Sequence, residues 1–195
     1  MPAYLIGVDS VTWGEWRSDR GKDGFLIASI PDASTPNYPF MPPSLPSYVD
    51  EIDLTGADLI GDSVFASGHG TFPRWLETDD PIRRSPTNWR WSSGFFGGVV
   101  ITPNNEDWHI CSMYLSDLNS SGSRNQYVSV GSDDTPIFYA NQAPVWVRFA
   151  FQGETSILIQ RTGGSGIYLS GLFFDPLPTN YNAGFTSNLI GHYLA

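Results

Sequence analysis

The chain has 195 residues and a formal net charge of -10, with 15% of residues charged and 14% aromatic. That length suits one domain with a sizeable core. One lysine and five glutamates leave little material for long amphipathic helices, and the acidity disfavours duplex nucleic acid and anionic membranes, which need clustered Lys/Arg.

Gly and Pro punctuate the chain throughout, and aromatic and β-branched residues fill the pieces between them, a pattern that suits strands and tight turns. The first predicted strand covers 4–8 and the second 24–30, separated by turns at Gly14, Gly21 and Asp23-Gly24. Residues 31–48 then carry six prolines, an extended polyproline-like loop that also holds Tyr38, Phe40 and Met41. Further strands are predicted at 47–54, 63–67, 95–102, 108–116, 126–131 and 136–140. Cys111 lies in the apolar 108–116 segment; it is the sole cysteine, so no intrachain disulfide forms and it reads as a small buried hydrophobe.

The clearest alternation follows: Val145, Val147, Phe149 and Phe151 on one face, Trp146, Arg148, Ala150 and Gln152 on the other. With 155–161 and 166–174, this strand reads as an antiparallel meander joined by Gln152-Gly153-Glu154 and a glycine-rich link. The expected fold is all-β: a two-sheet antiparallel β-sandwich or jelly roll of about ten strands with little or no helix. The sandwich domain is expected over 1–176 with the Pro-rich loop inserted, and 177–195 as a C-terminal tail or docking arm bearing Tyr181, Phe185 and Tyr193.

No arrangement of catalytic residues is recognisable. His69, His109 and His192 are widely spaced and lack metal-ligand spacing, and there is no G-x-S-x-G elbow or phosphate loop. The carboxylate pairs Asp79-Asp80 and Asp133-Asp134 precede prolines, where turn chemistry is the default. The chain is therefore expected not to be an enzyme. Arg83, Arg84 and Arg90 form a basic cluster that Glu77, Asp79 and Asp80 are expected to pair locally. Met1-Pro2-Ala3-Tyr4 lacks a charged segment followed by an apolar one, so the expectation is folding in a cytosol unless a signal was removed.

The segment Thr12–Ile27, Thr-Trp-Gly-Glu-Trp-Arg-Ser-Asp-Arg-Gly-Lys-Asp-Gly-Phe-Leu-Ile, resembles the opening motif T-x-G-x-W-x-x-x-Y-G-x-D-G-Y-x-I of a bacterial β-sandwich module. That module is similar to galactose-binding-like domains appended to secreted carbohydrate-active and cell-surface proteins. Residues 75–83, 113–117 with 124–128, and 159–176 with its Leu169-Ser170-Gly171-Leu172-Phe173-Phe174-Asp175 stretch resemble its later segments in the same order. Arg20 and Leu118-Asn119 depart from the pattern. The resemblance implies the sandwich fold and leaves the ligand open.

The leading expectation is a non-catalytic structural or adhesive component of a surface assembly, above all a bacteriophage virion protein of the capsid-decoration or tail type. Its partners would be subunits of the same assembly, in a homo-oligomer, and its location the virion. The aromatics Tyr38, Phe40, Tyr181, Phe185 and Tyr193 are the candidate docking residues. The alternative is a carbohydrate-binding module of a bacterial extracellular or cell-surface protein. Sugars offer an apolar face and hydroxyl edges, which Trp13, Trp75, Trp89 and Trp91 beside Arg, Asn and Asp would match, while Trp16 and Trp146 read as core. No cofactor is expected beyond a structural Ca²⁺ held by Asp9, Asp19, Asp23 and Asp175 from turns flanking the first and last strands.

Overall fold

The computed structural model describes residues 3–29, 41–61, 75–79, 84–85, 87–92, 94–116, 125–130, 133–140, 144–164 and 166–177, with backbone alone at 61, 125 and 133–140. The strands are β1 (Ala3–Asp9), β2 (Gly24–Ile27), β3 (Val49–Asp53), β4 (Asp58–Gly61), β5 (Leu76–Glu77), β6 (Arg84–Ser85), β7 (Thr87–Trp91) and β8 (Phe96–Pro103). They continue as β9 (Trp108–Leu115), β10 (Asn125–Val130), β11 (Asp133–Ala140), β12 (Val145–Gln152), β13 (Thr155–Gly163), β14 (Ile167–Leu169) and β15 (Gly171–Asp175). Every strand pairing is antiparallel. The first five-stranded sheet runs β1-β12-β9-β15-β2 and the second β11-β10-β13-β8-β3, with β14-β7-β4 and β5-β6 as smaller sheets. The all-β sandwich read from the sequence is what the chain forms.

The main core lies between the two large sheets. Val147, Phe149, Phe151, Cys111, Met113, Leu172 and Phe174 come from the first sheet and Val99, Ile101, Val128, Ile157 and Ile159 from the second. Period-two alternation places each set on one face. A second core forms on the far side of the first sheet, where Tyr114, Trp146, Phe173 and Ile27 meet Trp16, Met41 and Leu76. Trp16 is held there by its indole N–H, which donates to the Glu77 carbonyl at 3.0 Å. Gly21 (φ 71°) closes the same turn, and a Cβ on it would lie 3.1 Å from the Trp16 ring.

This double cover explains the burial patterns. In β9, residues 109–115 are all buried and β15 is buried throughout, as a sheet covered on both faces requires. β13 reads buried-exposed-buried-exposed-buried over 155–159, and β8 alternates likewise from Phe96. The second sheet therefore has one face on the core and one on solvent.

The predicted meander at the C-terminal end is corrected. β12 pairs with β1 and β9, β13 pairs with β10 and β8, and the 166–174 segment divides between two sheets. Short turns here cross the sandwich instead of joining neighbours in one sheet. Alternation reveals a strand's buried face and carries no information on its hydrogen-bonding partner. The division falls at Ser170, whose N–H donates to the Tyr114 carbonyl (2.9 Å) and whose carbonyl accepts from Ala28 (2.9 Å). At Gly171 a Cβ would lie 2.8 Å from the Phe173 ring, the close approach its sequence position suggested. Strands β4 to β7 had no counterpart in the sequence reading, and the predicted strand 63–67 lies outside the described residues.

Candidate functional site

The solvent face of the second sheet is built by side chains that point away from the main core: Phe96, Gly98 and Val100 on β8; Ser156, Leu158 and Gln160 on β13; Tyr127 and Ser129 on β10. Register sets them in rows across the strands. Tyr127 lies opposite Gln160, which lies opposite Phe96; Ser129 lies opposite Leu158, which lies opposite Gly98. Phe96 is 54% exposed and Leu158 41%, and the neighbouring Phe95 is 64% exposed. Nothing lies within 4 Å of where a Gly98 Cβ would stand, so the face is open at its centre.

Polar groups are interleaved with these apolar ones. The Tyr127 hydroxyl donates to Gln160 Oε1, which fixes that oxygen as the acceptor and the NH₂ as the donor end of the amide. Arg161 and Phe95, one residue on from Gln160 and one before Phe96, alternate off this face: the guanidinium lies 4.7 Å from the Phe95 ring centroid, and the Arg161 N–H donates to the Phe95 carbonyl (2.8 Å). Asp53, opposite Val100 on β3, closes the other end with an acidic group. The arrangement offers aromatic rings, a hydrogen-bonded amide and hydroxyls on one exposed face.

No family model matches the chain, and no curated protein sequence matches it. Among solved structures it is similar to a family 35 carbohydrate binding module from Clostridium thermocellum at 7% identity and TM-score 0.39, covering 67% of this chain and 95% of that one. A similar likeness holds to the CBM35 from Paenibacillus barcinonensis, with 13% identity, TM-score 0.34, and coverage of 67% of this chain and 98% of the module. The exo-beta-1,3-galactanase of Phanerochaete chrysosporium overlaps at 14% identity and TM-score 0.32, over 64% of this chain but 27% of the enzyme. Overlap at this level bears on neither ligand nor activity.

The sequence-predicted tryptophans do not converge. Trp75 and Trp91 are 2% and 5% exposed, so neither offers a ring face to a ligand, which corrects their assignment as sugar platforms. Trp91 packs in the main core and donates its indole N–H to the Thr55 carbonyl at 3.0 Å. Trp89 is half-buried against the same core. Trp13 is 39% exposed, in the turn after β1, where its carbonyl accepts from Trp146 Nε1 at 2.8 Å. Trp16 and Trp146 are buried, as read. Tyr38, Phe40, Tyr181, Phe185 and Tyr193 lie outside the described residues.

Of the proposed calcium ligands only Asp23 and Asp175 come near each other, Asp23 N–H donating to the Phe174 carbonyl at 3.0 Å. Among the described residues no group of three or more His, Cys, Asp or Glu is placed to hold a metal. Asp9 instead accepts from the backbone N–H groups of Val11 (2.9 Å) and Thr12 (2.8 Å) and pairs with Arg20 at 2.7 Å. Burial alone would raise its carboxyl, but these bonds outweigh that and hold it below its ordinary value. Asp19 is exposed, and Asp23 accepts from the Tyr48 hydroxyl (3.2 Å). Asp175 is buried on the second-core side of the first sheet, where burial pushes its carboxyl up against the opposing pull of the Lys22 N–H and the Arg148 charge. In the basic cluster, Arg84 meets Glu15 at 2.6 Å and Glu77 at 3.8 Å, while Asp79 pairs with Arg17 at 2.7 Å.

Sequence reasoning placed strands at 95–102 and 155–161 but no site on them. Leu158 alternating with polar Ser156 and Gln160, and Phe95-Phe96 beside two glycines, were the available signals. Which side of those strands faces solvent required the packing.

Proposed function

We propose that the chain is a carbohydrate-binding domain that takes its glycan on the solvent face of the second sheet. The observation that carries this reading is the open row Tyr127–Gln160–Phe96 with Leu158 beside it. A pyranose has an apolar face of C–H groups and a rim of hydroxyls; aromatic rings match the first and a hydrogen-bonded amide with serine hydroxyls matches the second. A purely protein-binding face would favour a continuous apolar centre, whereas here polar and apolar groups alternate from strand to strand. The features behind the virion reading, the Pro-rich arm and the C-terminal tail, fall largely outside the described residues and lend it no support.

The test is affinity electrophoresis through gels containing soluble polysaccharides, with circular dichroism to confirm folding. Phe96→Ala is expected to weaken retardation by about tenfold or more, the loss typical of a central aromatic anchor. Trp13→Ala is expected to leave binding intact. No retardation by any glycan, or loss on Trp13→Ala with none on Phe96→Ala, removes the reading.

A further inference from the structure

We infer that the glycan is a neutral polysaccharide in extended, β-linked form, held by internal residues of its chain and lying across the strands; this rests on the carbohydrate-binding reading above. Three observations carry it. The first is shape. Phe96, Gly98, Ser156 and Leu158 are all exposed, and Gly98 has open space above it. A chain end is recognised by walls that bury a single sugar. These exposed residues form no such wall, and a segment laid across them has both ends free to continue.

The second is spacing. Tyr127, Gln160 and Phe96 occupy one row on three adjacent strands. Adjacent strands lie about 4.8 Å apart, so Tyr127 and Phe96 are separated by about 10 Å at the backbone. That is close to two sugar residues of an extended β-linked chain, in which successive residues turn over and alternate the edge they present. Two rings flanking one hydrogen-bonded amide suit that repeat. A coiled chain of the amylose kind would not present that repeat to both rings.

The third is charge. The chain carries -10 overall. Asp53 and Glu51 on β3 border the face on one side, and Glu154 is exposed at the β12–β13 turn. Arg161, next after Gln160, alternates off this face and lies over Phe95. A polyuronate or sulfated glycan laid here would meet these carboxylates and, among the described residues of the face, no guanidinium or ammonium group.

The experiment uses the full chain and four probes: soluble glucomannan, polygalacturonate, dextran sulfate, and a ladder of neutral β-1,4-linked oligosaccharides from one to six sugars. Glucomannan is expected to retard the protein and the two polyanions are not, at low salt where electrostatics are strongest. Affinity is expected to rise about tenfold or more from the monosaccharide to the hexasaccharide. Phe96→Ala and Leu158→Ser should both abolish that rise, and the pair guards against one variant failing to fold. Binding of either polyanion, or a monosaccharide as tight as the hexasaccharide, overturns the inference and leaves a carbohydrate-binding domain of another specificity. Absence of binding to every glycan overturns both.

Discussion

Gly97 and Gly98 are neighbours on β8, and the structure predicts opposite outcomes for the same substitution in each. A Cβ on Gly97 would lie 2.7, 2.9 and 3.0 Å from Cδ2, Cε3 and Cγ of Trp91. Trp91 cannot retreat: it is 5% exposed, packed in the main core, and tied through its indole N–H to the Thr55 carbonyl. Gly97→Ala is therefore overpacking and is expected to cost about 1–3 kcal/mol, part of it offset by the backbone entropy regained on losing a glycine. A Cβ on Gly98 meets nothing within 4 Å, and Gly98 is not among the glycines at positive φ. Gly98→Ala is expected to stabilise by about 0.4–1 kcal/mol through the unfolded chain alone. Urea unfolding followed by tryptophan fluorescence measures both, with the slope against denaturant unchanged. Equal effects of the two substitutions, or a wild-type midpoint for Gly97→Ala, would refute the placement of Trp91 against β8.

Two buried titrating groups give opposite pH signatures. Burial raises Asp175 in the folded state, so its contribution to stability is present below the unfolded carboxylate value, about 3.9, and is lost as pH rises through the folded value. Asp175→Asn should gain stability relative to wild type between about pH 4 and neutrality; a constant difference across that range contradicts the assignment. Burial lowers His109, whose ring stacks on Tyr48 at 3.8 Å and whose Nε2 lies 2.8 Å from Asn105 Oδ1. Its contribution is present above the unfolded value, about 6.5, and is lost as pH falls from there through the lower folded value. NMR titration of the ring should give a midpoint below about 6.5; an ordinary value would show the ring is solvated, and a raised one that the Asp107 and Asp23 charges outweigh burial. Asn88, fully buried, donates to the Ser116 carbonyl at 2.9 Å and accepts from the Ser170 hydroxyl. Asn88→Ala should cost about 1–3 kcal/mol in urea unfolding while leaving glycan retardation unchanged. Cys111 is fully buried, and burial pushes its thiol up, so a thiol reagent should react only after denaturant is added; prompt reaction of the folded protein would mean β9 is exposed.

Much of this architecture was legible in the residues. Alternation at Val145–Gln152 gave a strand with those bounds, and Val147, Phe149 and Phe151 are indeed its core side. Trp16, Trp146 and Cys111 were read as buried and are. Trp91 reads as a ligand platform because it neighbours Arg90, yet neighbours in sequence on a strand point to opposite faces. Trp91 goes inward while Arg90 beside it does not.

The sequence by itself determined the all-β class, the acidic character and the inward side of the strongest strands, since these follow from composition and from a period of two. Only the tertiary structure decided that the first sheet is covered on both faces and the second on one. That follows from where the Trp16 turn and Met41 come to rest, contacts between segments distant in the chain. The same packing made Phe96, Leu158 and Tyr127 a surface: each is an ordinary strand residue until the other side of its sheet is filled.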